Sequence, residues 1–271
     1  MNISVIGDVM LDVELPGRFR ENDEGAALCI TGRQWRYYPG GAANVAALLR
    51  GMGHQVTLFG LMGPDWAAAQ LQHLLGRITH FCKPLLPTTI VKLRAHSQQQ
   101  LIVRVDCEDI SAVTYPLEAA LEEAQTNGVP DAVIFSDYSK GIFGQHTAEA
   151  VQRIIGWDCP TVVDPRPCDY LRIWEGATAA TPNRRESQQM EIASRYLVVT
   201  DRESGAVVHN GAETRHIPTE PVADPQIIGA GDALTAGLAV GLAEGNDIFA
   251  ATQFAVSYAT RYVAQPRGAL Y

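Results

Sequence analysis

The segment Ile227-Ile228-Gly229-Ala230-Gly231-Asp232-Ala233-Leu234 runs into an apolar, helix-like stretch over residues 235–242. Two glycines at a helix start let backbone N–H groups come close to an anion, because no Cβ stands in the way. The unpaired N–H groups and partial positive charge of a helix N-terminus supply the attraction. A carboxylate fixed beside such a site is placed to take a proton from an attacking hydroxyl. Asp232 is that carboxylate, and the chemistry it suits is phosphoryl transfer. Taken alone, the same residues also read as a glycine-rich turn with Asp232 as a first-turn acid favoured by the helix dipole.

A second glycine element changes the balance. Pro39-Gly40-Gly41-Ala42-Ala43-Asn44-Val45-Ala46 opens another apolar run that continues to Leu49. Together the two elements resemble the ribokinase-like (PfkB) carbohydrate kinase family. Its first signature is Gly-Gly followed by Asn at an early helix, and its second is Gly-Ala-Gly-Asp near the C-terminal end. Their order and separation here match, and the resemblance covers essentially the whole chain. It implies a ribokinase-like three-layer α/β fold with a mostly parallel central sheet and a small β-sheet lid. It also implies an ATP-dependent phosphotransferase that acts on a hydroxyl of a sugar or sugar phosphate, with ATP and Mg2+ bound. Asp232 would be the catalytic base, and the backbone of Gly229, Ala230 and Gly231 the anion hole.

Further residues take roles from position and from the resemblance. Gly7-Asp8-Val9-Met10-Leu11-Asp12 follows the first expected strand, where open α/β sheets bind ligands. Asp8 and Asp12 are candidates to accept hydrogen bonds from sugar hydroxyls, with a surface turn acid as the other reading of Asp12. Gly40 and Gly41 would let backbone approach the sugar. By resemblance Asn44 binds its hydroxyls, and by position alone it is a helix cap. Ser136-Asp137-Tyr138-Ser139-Lys140-Gly141 and Arg104-Val105-Asp106 resemble the bacterial heptose-phosphate kinase branch of the family. Lys140 or Arg104 would neutralise a substrate phosphate, or else they are a loop lysine and a sheet-edge arginine. On the nucleotide side stand Asp164-Pro165-Arg166, with Arg166 near the ATP phosphates, and Thr200 and Gly205 in a loop after a strand. Asn183 and Glu186 match the family's Asn-x-x-Glu element, which orders magnesium indirectly through water. Their spacing also fits a helix capping box.

Two departures bear on the chemistry. Relatives often carry an acidic and hydroxylic triplet just before Gly-Ala-Gly-Asp, and potassium-activated members use it to bind the cation. Here Gln226-Ile227-Ile228 stands there, so potassium activation is not expected. The stretch between Asn183 and Thr200 is also shorter than in relatives. That trimming leaves a non-catalytic sugar or nucleotide sensor as a rival. A nucleoside kinase of the same family is another, with Trp35, Tyr37 or Tyr38 as material for a base pocket.

These residues need a scaffold, and the chain mostly alternates strand-like and helix-like runs, the mark of βαβ units. Strands are expected over 3–7, 56–61, 132–136, 161–164, 177–180 and 196–200. Helices are expected over 42–52, 66–75, 117–126, 147–155, 230–242 and 249–263. Residues 13–38 and 88–106 break the rhythm with β-prone pieces, including 89–94 and 101–105. They are expected to pair into one lid sheet over the Gly40-Gly41 site, whose outer face supports a homodimer.

The 271 residues, 46% hydrophobic and 19% charged, suit a soluble globular chain, expected as one kinase domain over 1–271 with the lid inserted. The net charge of −9 argues against nucleic acid or an anionic membrane as the main partner. No apolar run is long enough to span a bilayer, and the first residues lack a basic signal-peptide region, so a cytoplasmic location is expected. Five scattered cysteines without a Cys-x-x-Cys suggest neither a zinc site nor a disulfide framework.

Overall fold

A computed structural model of the chain describes residues 1–23, 25–30, 34–97, 100–110, 117 and 128–271. Strand β1 (Asn2–Gly7) lies inside a nine-stranded sheet. Its Ile3, Val5 and Ile6 are fully buried, as expected of a strand covered on both faces. It pairs in parallel with β5 (Gln55–Leu61) on one side and β9 (Ala132–Ser136) on the other. Beyond β5 lies β6 (Thr79–Lys83), and beyond β9 lie β10 (Thr161–Asp164), β11 (Ala179–Ala180) and β12 (Tyr196–Thr200), all parallel. β13 (Ala206–His209) and β14 (Thr214–Ile217) complete the sheet as antiparallel additions. All six expected core strands are present, though β11 has shrunk to two residues. β6, β13 and β14 lie toward the two edges, where sequence patterning is weaker.

Helices α1 (Ala42–Gly51), α2 (Trp66–Leu75), α3 (Ala148–Ile155), α4 (Arg184–Ser187), α5 (Ala230–Ala243) and α6 (Ile248–Val263) accompany the sheet. α5 is apolar on nearly every side and is buried from Asp232 to Leu242, which makes it a core helix rather than a surface one. α6 packs along it, capped by the Asp247 carboxylate on the N–H groups of Phe249 and Ala250. The helix expected over 117–126 lies outside the described residues, apart from Leu117.

The second sheet contains β2 (Val9–Asn22), β3 (Gly25–Ile30), β4 (Arg36–Gly41), β7 (Ile90–Ser97) and β8 (Gln100–Cys107). β2 organises it. Its first half pairs with β4 and its second half with β3, both antiparallel, while its other edge runs parallel to β7. The two segments expected to form one sheet are therefore joined directly along β2 and β7. The sheet starts at Val9, earlier than the expected 13, so Asp12 sits on a strand. Pleating puts Asp12, Lys92 and Asp106 in one cross-strand row, and Glu14, Arg94 and Arg104 in the next on the same face. The opposite face carries Val13, Leu15, Leu93, Ala95, Val103 and Val105. Near β2 that face belongs to the main core, whereas Val103 and Val105 of β8 are about half exposed, and a register shift past Ala95 sets Leu101 opposite His96.

Candidate active site

Three neighbouring parallel strands end in carboxylates. Asp8 follows β1, Asp137 follows β9 and Asp164 closes β10, all buried. Asp8 braces a loop. Its Oδ2 accepts from the Tyr138 and Lys140 N–H groups at 2.8 and 3.1 Å, and its Oδ1 faces the Ile142 N–H at 3.4 Å. Burial outweighs these bonds and raises the carboxyl to about 6. Asp137 accepts from the Ser139 N–H and the Tyr170 hydroxyl on Oδ1, while its buried Oδ2 has no hydrogen-bond partner. Burial and the nearby Asp8 charge push it up to about 7. Burial lifts Asp164 to about 7 against the pull of Arg166.

Opposite these ends stands the start of α5. Gly229 is left-handed, with φ of 88°, and a Cβ there would lie 2.5 Å from Asn44 Nδ2, so both backbone angle and space require glycine. The Ala230 N–H is engaged by the Ile227 carbonyl. At Gly231 an added Cβ would meet nothing within 4 Å, so this side of the helix start is open. Asp232 in the first turn is buried, and both its oxygens are held. Tyr138 donates its hydroxyl to Oδ1 at 2.9 Å, and Asn44 donates Nδ2 to Oδ2 at 2.5 Å. Burial raises the Asp232 carboxyl, and the bonds from Asn44 and Tyr138 and the Arg166 charge oppose that rise.

Asn44 comes from α1, whose entry depends on Gly41. That residue has φ of 57°, and a Cβ there would sit 2.3 Å from the Asp8 carbonyl, which instead accepts the Ala42 N–H. Gly40 packs directly over Met10 and Asp12. Asn44 is fully buried, with Oδ1 accepting from the Tyr271 hydroxyl at 2.7 Å. It therefore lies behind Asp232, with both ends of its amide committed.

The lid sheet brings cations. Asp12 is paired with Arg94 at 2.7 Å and with Arg267, which also reaches Glu14 at 3.4 Å and covers the Tyr38 ring. Lys92 Nζ lies 4.9 Å from the centre of the Tyr138 ring, and the Arg166 guanidinium 4.6 Å from it. Burial lowers Lys92, against the pull of Asp12 and Asp106. Lys140 pairs with Glu108, and Arg104 makes a two-pronged bond to Asp106 on exposed β8. Tyr37 packs edge-on to Trp66.

On the expected nucleotide side Asn183 is an N-cap. Its Oδ1 accepts from the Arg185 and Glu186 N–H groups, and Glu186 Oε2 accepts the Asn183 N–H, which completes a capping box. Glu186 Oε1 pairs with Arg166. Thr200 bridges to Asn183 at the end of β12, and Gly205 follows a short turn into β13. Among the described residues no group of three or more His, Cys, Asp or Glu side chains is placed to hold a metal. Asn183 and Glu186, committed to the capping box and to Arg166, would meet a magnesium ion carried on phosphates only through water. In the loop before α5, Gln226 closes on itself. Its Oε1 accepts the Ile228 N–H, and its Nε2 donates to the Ile228 carbonyl, which also accepts from the Tyr262 hydroxyl.

Of the residues singled out in the sequence, Asp8, Asp12, Asn44, Asp164, Arg166 and Asp232 converge in one connected cluster. Arg104 is turned to its own strand. Tyr138, Lys92, Arg94, Arg267 and Tyr271 join the cluster without having been singled out. Tyr138 stands two residues past a buried strand, a position that signals a ligand-facing loop. Arg267 and Tyr271 carry no local signal.

The sequence pattern of pfkB family carbohydrate kinases matches residues 1–269. Among curated proteins, bifunctional protein HldE of Azorhizobium caulinodans is 34% identical over 97% of this chain and 61% of its own length. HldE of Nitrosococcus oceani is 34% identical over 93% of the chain and 58% of its length. The chain thus spans about three fifths of the curated relatives it matches. Among solved structures, Thermotoga maritima ribokinase superposes with a TM-score of 0.75 at 20% identity, covering 99% of this chain and 94% of that one. Escherichia coli phosphofructokinase-2 in complex with potassium gives 0.77 at 16%, covering 97% and 92%. These two likenesses establish the fold. No described helix is long and apolar enough to cross a membrane.

Proposed function

The chain belongs to the pfkB family of carbohydrate kinases, and on that premise we propose that it moves the γ-phosphoryl group of ATP to a hydroxyl of a sugar or sugar phosphate, with Asp232 as base. The observation that carries this reading is Asp232 itself. It is a buried carboxylate in the first turn of α5, beside an open helix start at Gly231 and bonded to Tyr138, over whose ring Lys92 of the lid reaches. Asp232 would take the hydroxyl proton as the oxygen attacks in line. Of the expected anion hole at 229–231, the Gly229 and Gly231 N–H groups would stabilise charge on the group in flight, since that of Ala230 is engaged by Ile227. Arg166, held by Glu186 and stacked on Tyr138, would face the phosphates. Magnesium, carried by ATP and contacted through water near Asn183 and Glu186, would neutralise phosphate charge. Most of the acceleration would come from positioning and charge neutralisation.

A sugar phosphate is the acceptor this site suits better than a neutral sugar. Lys92 reaches over Tyr138 from the lid, and Arg94 and Lys140 stand nearby in ion pairs with Asp12 and Glu108 that a substrate phosphate would compete for. Val103 and Val105 form a half-exposed apolar strip on β8, which supports a homodimer formed through the lid. Incubation with magnesium-ATP and a panel of sugars and sugar phosphates tests the function. Acceptor-dependent release of ADP is expected, with product position read by NMR. Binding of acceptors with no ADP above background would instead identify a sensor.

A further inference from the structure

We infer that Tyr271 is a positioning residue for Asp232. Its hydroxyl decides which end of the Asn44 amide faces the carboxylate, and so keeps Asp232 ionised.

Asn44 is fully buried between two partners. Asp232 Oδ2 lies 2.5 Å from Nδ2, and Tyr271 Oη lies 2.7 Å from Oδ1. A primary amide has one donating end and one accepting end, so the pair of partners must match it. Two complete arrangements exist. In the first, Tyr271 donates to Oδ1 and the NH2 group donates to an ionised Asp232. In the second the amide is turned, a protonated Asp232 donates to Oδ1, and the NH2 group donates to the phenol oxygen. Asn44 alone does not choose between them.

Tyr271 does choose. Burial and the adjacent Tyr262 hold its phenol above the ordinary value, so it keeps its proton, while Arg267 beside it acts in the opposite direction. A guanidinium can only donate. The phenol oxygen therefore faces a cation on one side, and its proton is left for Asn44 Oδ1. Tyr262 does not compete for that carbonyl, because its own hydroxyl donates to Ile228, and its oxygen, which lies within reach of the Tyr271 hydroxyl, already takes the Gln226 amide at 3.3 Å. The first arrangement follows, and it is the one that leaves Asp232 a base.

Other charged groups around Asp232 set the background. Tyr138, Asp164 and Arg166 face it from the ends of β9 and β10, Asp12 from β2 and Tyr262 from α6. Arg94 and Arg267 pair with Asp12 and reduce its repulsion. None of these groups depends on which way the Asn44 amide points.

The catalytic consequence rests on the kinase reading above, but the ionisation does not, so a ligand-free measurement tests it. The protein is prepared with 13C in its aspartate carboxyls, and the Asp232 signal is identified by its loss in Asp232→Asn. Its titration is then compared between parent and Tyr271→Phe, which keeps the ring and removes the donor. The midpoint should rise by about one pH unit, as expected when a buried network loses one donor that favours the charged form. An unchanged midpoint overturns the proposal. A second measurement uses the parent alone. Above the midpoint the Asn44 NH2 protons should show cross-peaks to Asp232, and cross-peaks to the Tyr271 ring throughout would overturn the assignment. A shifted midpoint in a protein that turns over no acceptor would sink the kinase reading and leave the role of Tyr271 standing.

Discussion

Gln226 spends its side chain on its own loop. Its amide and the Tyr262 hydroxyl together occupy both lone pairs of the Ile228 carbonyl. A monovalent cation beside the anion hole would need oxygens that Ile228 cannot provide from its side chain and no longer offers from its backbone. Turnover should therefore be the same in potassium, sodium or a bulky organic cation at matched ionic strength, since salt also screens the ATP charges. A saturable stimulation by potassium alone would show that the loop opens. At this scale legibility followed distance along the chain. Asp232 with its glycines, and Asn183 with Glu186, form local strings, and the structure shows the helix start of the first and the capping box of the second. Arg267 and Tyr271 reach Asp12 and Asn44 across 255 and 227 positions, and no neighbouring residue announces that contact. Arg104 and Arg94 are cross-strand partners. Only the strand order shows which of them lies beside Asp12.

The strand ends concentrate charge. Asp8, Asp137 and Asp164 end β1, β9 and β10, with carboxyls raised from 3.8 to about 6, 7 and 7, chiefly by burial. In the unfolded chain these groups lose their protons near 3.8, while the folded protein keeps them until about 6 or 7. Between those values the folded state binds more protons, so its stability falls as pH rises. The melting temperature in the absence of ligands should drop from about pH 5 to about pH 8, the window in which these groups ionise. A flat or rising trend by calorimetry would mean that the cluster is solvated or paired in solution. The strands that hold these groups were legible because continuous apolar runs mark strands buried on both faces. β13 and β14 were not, since they are short and antiparallel near an edge. The start of the lid at Val9 was also hidden. The lid was expected from residue 13, with Asp12 open to a reading as a turn or surface acid, yet β2 begins one residue after Asp8 and carries Asp12 into the second sheet.

Across the whole molecule the second sheet has two faces with different work. Its polar face, with Asp12, Lys92 and Arg94, looks onto Tyr138 and the start of α5. Its apolar face is covered near β2 and bare at β8. A second copy of the chain laid on that stripe would bury Val103 and Val105. Replacing both, Val103→Glu with Val105→Glu, should weaken the dimer by about a hundredfold or more, since each buried valine is worth roughly 1.5 kcal/mol or above. Sedimentation velocity reads this directly, and a parent that is monomeric at micromolar concentration would remove the dimer while leaving the site intact.

The base assignment is tested most directly by acceptor-dependent ADP release in parent and Asp232→Asn, compared side by side with the acceptor that the screen identifies. Asparagine keeps the size of the side chain and the oxygen that accepts from Tyr138, while its NH2 group meets the Asn44 donor, so the fold should persist with some loss of stability. Losing a general base typically costs about a hundredfold to ten-thousandfold in rate. The expected result is a loss in kcat of at least about a hundredfold in a variant that remains folded at the assay temperature. Near-parental kcat in the folded variant would contradict Asp232 as the group that activates the hydroxyl.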